Sequence, residues 1–156
     1  MAITPNSDFT AGATLTAQQQ NNFPRGVMVK ATSTTNYPLT ATAAVATGMT
    51  VTFTAVAGRN YRITYYEPQV TTPSTLAGSC DFSIRDGATQ LQKGLLQTGA
   101  AVQINGTICV VYVGTLTAGS RTINGYANAN VTTGTPTATR GATLPAQLTV
   151  EDIGTA

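Results

Sequence analysis

Residues 49–55 read Met-Thr-Val-Thr-Phe-Thr-Ala, with apolar and threonine side chains in strict alternation. Successive side chains of a β-strand point to opposite faces. The run therefore puts Met49, Val51, Phe53 and Ala55 on one side and Thr50, Thr52 and Thr54 on the other, which is the pattern of a half-buried strand. The same period returns after a turn at residues 58–60. There Tyr61, Ile63 and Tyr65 share one face, and Arg62 and Tyr66 share the other. The short spacing predicts that residues 49–57 and 61–67 form a hairpin.

Further along, Cys80, Phe82 and Ile84 alternate with polar residues up to Asp86 and Gly87, a strong hairpin turn signal. A strand over 89–97 is expected next, bulged at Gly94. Asn105 and Gly106 read as another turn. Residues 107–113 are the most apolar run in the chain, so they are expected to form the central strand, buried on both faces. Residues 122–131 place Ile123, Gly125, Ala127, Ala129 and Val131 on one face. Residues 143–153 place Leu144, Ala146, Leu148 and Val150 inward. About eight short strands divided by Gly/Pro-rich turns, with no βα alternation, read as an all-β sandwich or barrel. A jelly-roll β-sandwich is the leading architecture and an immunoglobulin-like sandwich the alternative.

The first 25 residues break this pattern. Residues 14–22 hold the one helix-like stretch, with Thr14 or Thr16 placed to cap it and Gln18 or Gln19 to reach back. Pro24 ends it. Its apolar residues are too few for a core helix, so it needs a partner surface. We divide the chain into an attachment arm over 1–25, with Phe9, Leu15, Phe23, Pro24 and Arg25 as its contact residues, and a sandwich domain over 26–156.

Composition narrows the function. Threonine makes up about a fifth of the chain and charged residues 9 %, while histidine is absent. The commonest catalytic base and metal ligand is thereby missing. The carboxylates are Asp8, Glu67, Asp81, Asp86, Glu151 and Asp152. Glu151 and Asp152 are neighbours, and neighbours on a strand face opposite ways. Asp86 has a geometric task in its turn, and Asp81 should point outward. There is no phosphate-binding glycine loop, nucleophile elbow or clustered calcium ligand set. We expect no enzymatic activity, no catalytic residues, no metal and no cofactor.

A net charge of +2, from scattered arginines and lysines, is too weak a footprint for nucleic acid. No run approaches the ~20 apolar residues of a membrane span. The first twenty residues lack the basic start and apolar stretch of a signal peptide. We therefore expect the chain to be made in the cytoplasm and assembled there into something larger. Cys80 and Cys109 read as small buried hydrophobes. A disulfide between them runs against cytoplasmic synthesis.

Residues 6–27, NSDFTAGATLTAQQQNNFPRGV, resemble the opening of minor virion proteins in tailed phages, especially those of actinobacteria. Residues 51–63, VTFTAVAGRNYRI, and 146–154, AQLTVEDIG, are similar to the same group. The order of phrases at 58–63, 84–87 and 116–123 also resembles trimeric jelly rolls of the C1q/TNF type. These resemblances imply a homotrimeric virion protein, assembled in the host cytoplasm. Its arm would dock on other virion proteins of the tail or capsid, and its jelly roll would project outward. A tail or fibre component is favoured over head decoration. The alternative is a module that binds carbohydrate or a host surface without attachment to a particle. The expected subunit interface comprises Tyr61, Ile63, Tyr65, Tyr126, Ala127 and Ala129. Arg62 and Tyr66 are the expected exposed contacts.

Overall fold

The computed structural model describes residues 12, 14, 16–73, 77–99 and 101–156. In chain order the elements are α1 (Ala17–Asn22), β1 (Gly26–Ser33), β2 (Tyr37–Pro38), β3 (Val45–Ala55), β4 (Arg59–Thr71), β5 (Gly78–Asp86), β6 (Thr89–Thr98), β7 (Asn105–Thr115), β8 (Gly119–Ala129), β9 (Thr137–Thr139) and β10 (Ala146–Thr155). They build two antiparallel sheets. The first sheet runs β1-β10-β4-β7, with β9 and β2 continuing beside the end of β4. The second runs β3-β8-β5-β6.

The pairing is nested. Setting aside the short β2 and β9, the first long strand pairs with the last (β1 with β10) and the second with the second-last (β3 with β8). The third pairs with the sixth (β4 with β7), and the fourth with the fifth (β5 with β6). The pairings β10 with β4 and β8 with β5 then join these ribbons into sheets.

The inward alternation read from the sequence is present in β3, β4, β5 and β8, whose buried positions recur at every second residue. The hairpin at Asp86 and Gly87 is also present, with Gly87 at φ 57° joining β5 to β6. The expected hairpin of 49–57 with 61–67 is not. β3 and β4 lie in opposite sheets. Each has one apolar face, and both faces cover the same core, so the strands meet face to face rather than edge to edge. Phe53 and Tyr61 touch across that gap, ring edge to ring face, with centroids 5.2 Å apart.

Three further expectations are corrected. Residues 107–113 lie in an edge strand, since β7 pairs with β4 alone. Ile108 and Val110 are buried while Cys109, Val111 and Val113 are exposed. Asn105 and Gly106 start that strand instead of turning the chain. The β6 bulge falls opposite Ile84 and Arg85, not at Gly94. Gly94 pairs regularly with Phe82, and a Cβ there would come within 3.1 Å of Val110 Cγ2. It is small because the edge of one sheet crosses close over the other. Leu144, expected to face inward, is exposed ahead of β10.

Candidate functional site

The end of the expected arm is held by one arginine. Thr16 and Gln19 form the reciprocal capping box at the start of α1, Phe23 is its C-cap, and Pro24 follows. Arg59, at the start of β4, is buried and turns back toward this segment. Its Nη1 donates to the Asn21 carbonyl and its Nη2 to the Phe23 carbonyl at 2.6 Å. Its Nε and Nη2 hold the two carboxylate oxygens of Asp152. Orphan carbonyls at a helix C-terminus need donors, and a guanidinium fork supplies them without reading side-chain identity.

Arg25 stands 3.9 Å from Asp152 and is largely exposed. Asn21, Asn22, Arg25, Val56, Gly58 and Thr155 are among the residues lining a shallow cavity of about 290 Å³ beside Arg59. Of the expected arm contacts, Phe23 and Pro24 lie here with Arg25, whereas Phe9 and Leu15 fall outside the described residues.

The opposite end carries a second buried pair. Arg140, just after β9, donates through Nε (3.0 Å) and Nη2 to the Glu67 carboxylate. Its Nη1 reaches Ser33 Oγ, and its backbone N–H donates to Asn36 Oδ1 at 2.7 Å. Burial opposes the Arg140 charge, but the hydrogen bonds and field of Glu67 outweigh it and raise its pKa. Tyr65 donates to Glu67 Oε1 at 2.6 Å, and its Oη is 2.9 Å from Thr47 Oγ1. Burial, then the neighbouring Glu67, hold the Tyr65 pKa well above its ordinary value. The hydroxyl is thus a permanent donor in a closed internal network.

This burial corrects the expected interface. Tyr61, Ile63, Tyr65, Ala127 and Ala129 are fully enclosed by their own chain, so no second subunit can reach their side chains. The apolar face of each strand was consumed by the partner sheet. Of that set only Tyr126 is half-exposed, on the outer face of the second sheet.

The outer face of the first sheet sets two exposed valines among polar side chains. The register places Arg62 beside Val113 and Glu151, Thr64 beside Val111 and Thr149, and Tyr66 beside Cys109 and Gln147. Val111 is 41 % and Val113 58 % exposed. Arg62 grips Glu151 in two bonds of 2.6 and 2.9 Å. That hydrogen-bonded contact lowers the Glu151 pKa and raises that of Arg62. Arg62 and Tyr66 therefore share the outer face as expected, with Arg62 already engaged. Glu151 and Asp152 do face opposite ways, Asp152 into the interior.

Both cysteines are free. Cys80 is buried, and burial pushes its thiol up to about 11. Cys109 is exposed on β7, which corrects its reading as a buried hydrophobe. Asp86 is more than a turn residue, since its carboxylate receives Nε and Nη2 of Arg121. Asp81 points outward and pairs with Lys93 at 2.7 Å.

The buried pairs Arg59 with Asp152 and Arg140 with Glu67 went unread in the sequence. Their one signal was scarcity: fourteen charged residues in 156 leave few without a structural partner. Among the described residues, no three His, Cys, Asp or Glu side chains gather as metal ligands would. No helix among them is long and apolar enough to cross a membrane. No protein-family model and no curated protein sequence matches this chain.

Proposed function

We propose that this chain is a non-enzymatic structural protein of a tailed-phage virion. In this reading residues 1–25 dock on a neighbouring virion protein, and a jelly roll projects outward as a homotrimer. The observation that carries it is Arg59. A buried guanidinium that fixes the main chain at Asn21 and Phe23 gives the N-terminal segment a defined exit point from a rigid domain. An attachment element needs that, because a freely swivelling arm would not orient what it carries. The nested strand pairing, first with last and inward to the fourth with the fifth, supports the jelly-roll assignment.

The trimer reading moves to the outer face of the first sheet. Cys109, Val111 and Val113 line an edge strand, and no charge or proline occurs between Lys93 and Arg121. Natural edges are usually guarded by such residues. Covering this strand in a closed ring would serve the same purpose. Light scattering on the purified protein should give a mass near three times 16.0 kDa, and a stable monomer at micromolar concentration refutes the trimer.

Attachment is tested by removing residues 2–15, which leaves the capping box and the Arg59 contacts intact. The shortened chain should fold as before and fail to join particles. Full incorporation overturns the proposal. Copy number per major capsid protein in purified particles then separates a tail or fibre position, with few copies, from head decoration, with many.

A further inference from the structure

The outer face of the second sheet carries a cluster used by none of the foregoing. Asp81, Ser83 and Arg85 project from β5, flanked by Tyr126 and Asn128 of β8 and by Lys93 of β6. In register, Ser83 lies between Tyr126 and Lys93. The Arg85 guanidinium leans over the Tyr126 ring, 4.6 Å from its centroid, and Lys93 reaches diagonally to Asp81. These side chains arch over Ser83 from both sides, so that it is only 4 % exposed on a solvent-facing surface.

Two polar atoms under this cover, Asp81 Oδ1 and Arg85 Nε, have no hydrogen-bond partner. Among the described residues, ion pairs engage every lysine and arginine except Lys30 and Arg85. Arg85 is thus a cation held in place by an aromatic ring and matched by no carboxylate among the described residues.

A guanidinium stacked on a ring is an oriented fork for an oxyanion. Beside it, the half-exposed Asn128 offers an acceptor and donors and the Lys93 ammonium further donors, which hydroxyl groups satisfy in both senses. Nucleic acid would need several unpaired cations, and here there is one. An extended peptide would seek a sheet edge rather than this face. From this we infer that the outer face of the second sheet binds an oxyanion-bearing polyol, of the kind found in acidic surface polysaccharides, with Arg85 as the oxyanion contact. The site does not depend on membership of a particle.

The test is an amide NMR titration of the full-length protein with three probes: trigalacturonate, glycerol phosphate and neutral maltotriose. The expected result is shift changes centred on Asp81, Arg85, Tyr126 and Asn128 with one or both anionic probes, and weaker ones with maltotriose. Response to trigalacturonate alone assigns a uronate carboxylate; response to glycerol phosphate alone assigns a polyol phosphate. Arg85→Gln should weaken binding about tenfold or more, while Arg62→Gln on the first sheet should leave it unchanged. If Arg85→Gln fails to fold, Tyr126→Leu takes its place with the same expected loss. Absence of shifts with either anion at tens of millimolar overturns the site, as does undiminished affinity in the folded variant.

Discussion

Glu151 and Asp152 are neighbours on β10, and each binds an arginine of β4, yet they belong to different regions. Asp152 faces inward and shares Arg59 with the carbonyls of Asn21 and Phe23. Glu151 faces outward and holds Arg62, a side chain half open to water. The chemistry of the two pairs is the same, and the solvent differs. In water, ion pairing is offset by hydration and by the entropy of fixing long side chains. In the interior, removing one partner strands an uncompensated charge. The interior of this sandwich is therefore sensitive to loss of single charges, and its outer faces are free to be shaped by other demands.

The comparison breaks most visibly at the buried pairs. Asp152→Ala and Glu67→Ala should each cost about 3–5 kcal/mol in urea unfolding. Joint replacement Glu67→Leu, Arg140→Met should cost markedly less than either single loss, because no buried charge is left alone. If Asp152→Ala proves neutral, the buried pair has no energetic advantage over the exposed one.

Tyr65→Phe removes one hydroxyl from the Glu67 network and should cost about 1–3 kcal/mol by the same measurement. The cysteines sharpen the contrast next. Cys80→Ala should cost about 1–2 kcal/mol in lost packing. Its thiol has an ordinary pKa of 9.0, raised in the fold to about 11. Between those values the folded chain retains a proton that the unfolded chain has lost, so stability falls as pH rises from 9 toward 11. Cys80→Ala should flatten that alkaline limb. At neutral pH a thiol reagent should spare the buried Cys80 and modify Cys109 once the outer face of the first sheet is uncovered, as in the Val111→Lys, Val113→Lys variant.

At the outer face the expected effects on folding are smallest. Arg62→Gln should leave the urea midpoint unchanged within error at any salt concentration. Val111→Lys with Val113→Lys should reduce the mass seen by light scattering and leave a folded monomer that loses only the stabilisation supplied by assembly. A trimer that survives both lysines places the interface elsewhere.

Much of the candidate surface was legible in one respect and hidden in another. Alternation identified Arg62, Tyr66 and Asp81 as outward, and Tyr61 and Tyr65 as members of one apolar face. It could not say whether that face met a second sheet of the same chain or a second chain. Likewise, the apolarity of residues 107–113 announced burial, but a side chain's hydrophobicity does not tell what covers it. Arg59 and Asp152 lie 93 residues apart, and no local pattern links such positions.

By itself, the sequence determined which side of β3, β4, β5 and β8 turns inward, where Asp86 and Gly87 reverse the chain, and that a short capped helix precedes Pro24. These depend on period, turn chemistry and capping, which act within a few residues. Only the tertiary structure decided that β3 faces β4 instead of pairing with it, that β7 stands at an edge, and which arginine meets which carboxylate. Strand pairing uses backbone N–H and C=O groups, which are alike in every strand. The choice of neighbour is therefore made by closure of the whole sandwich around its core.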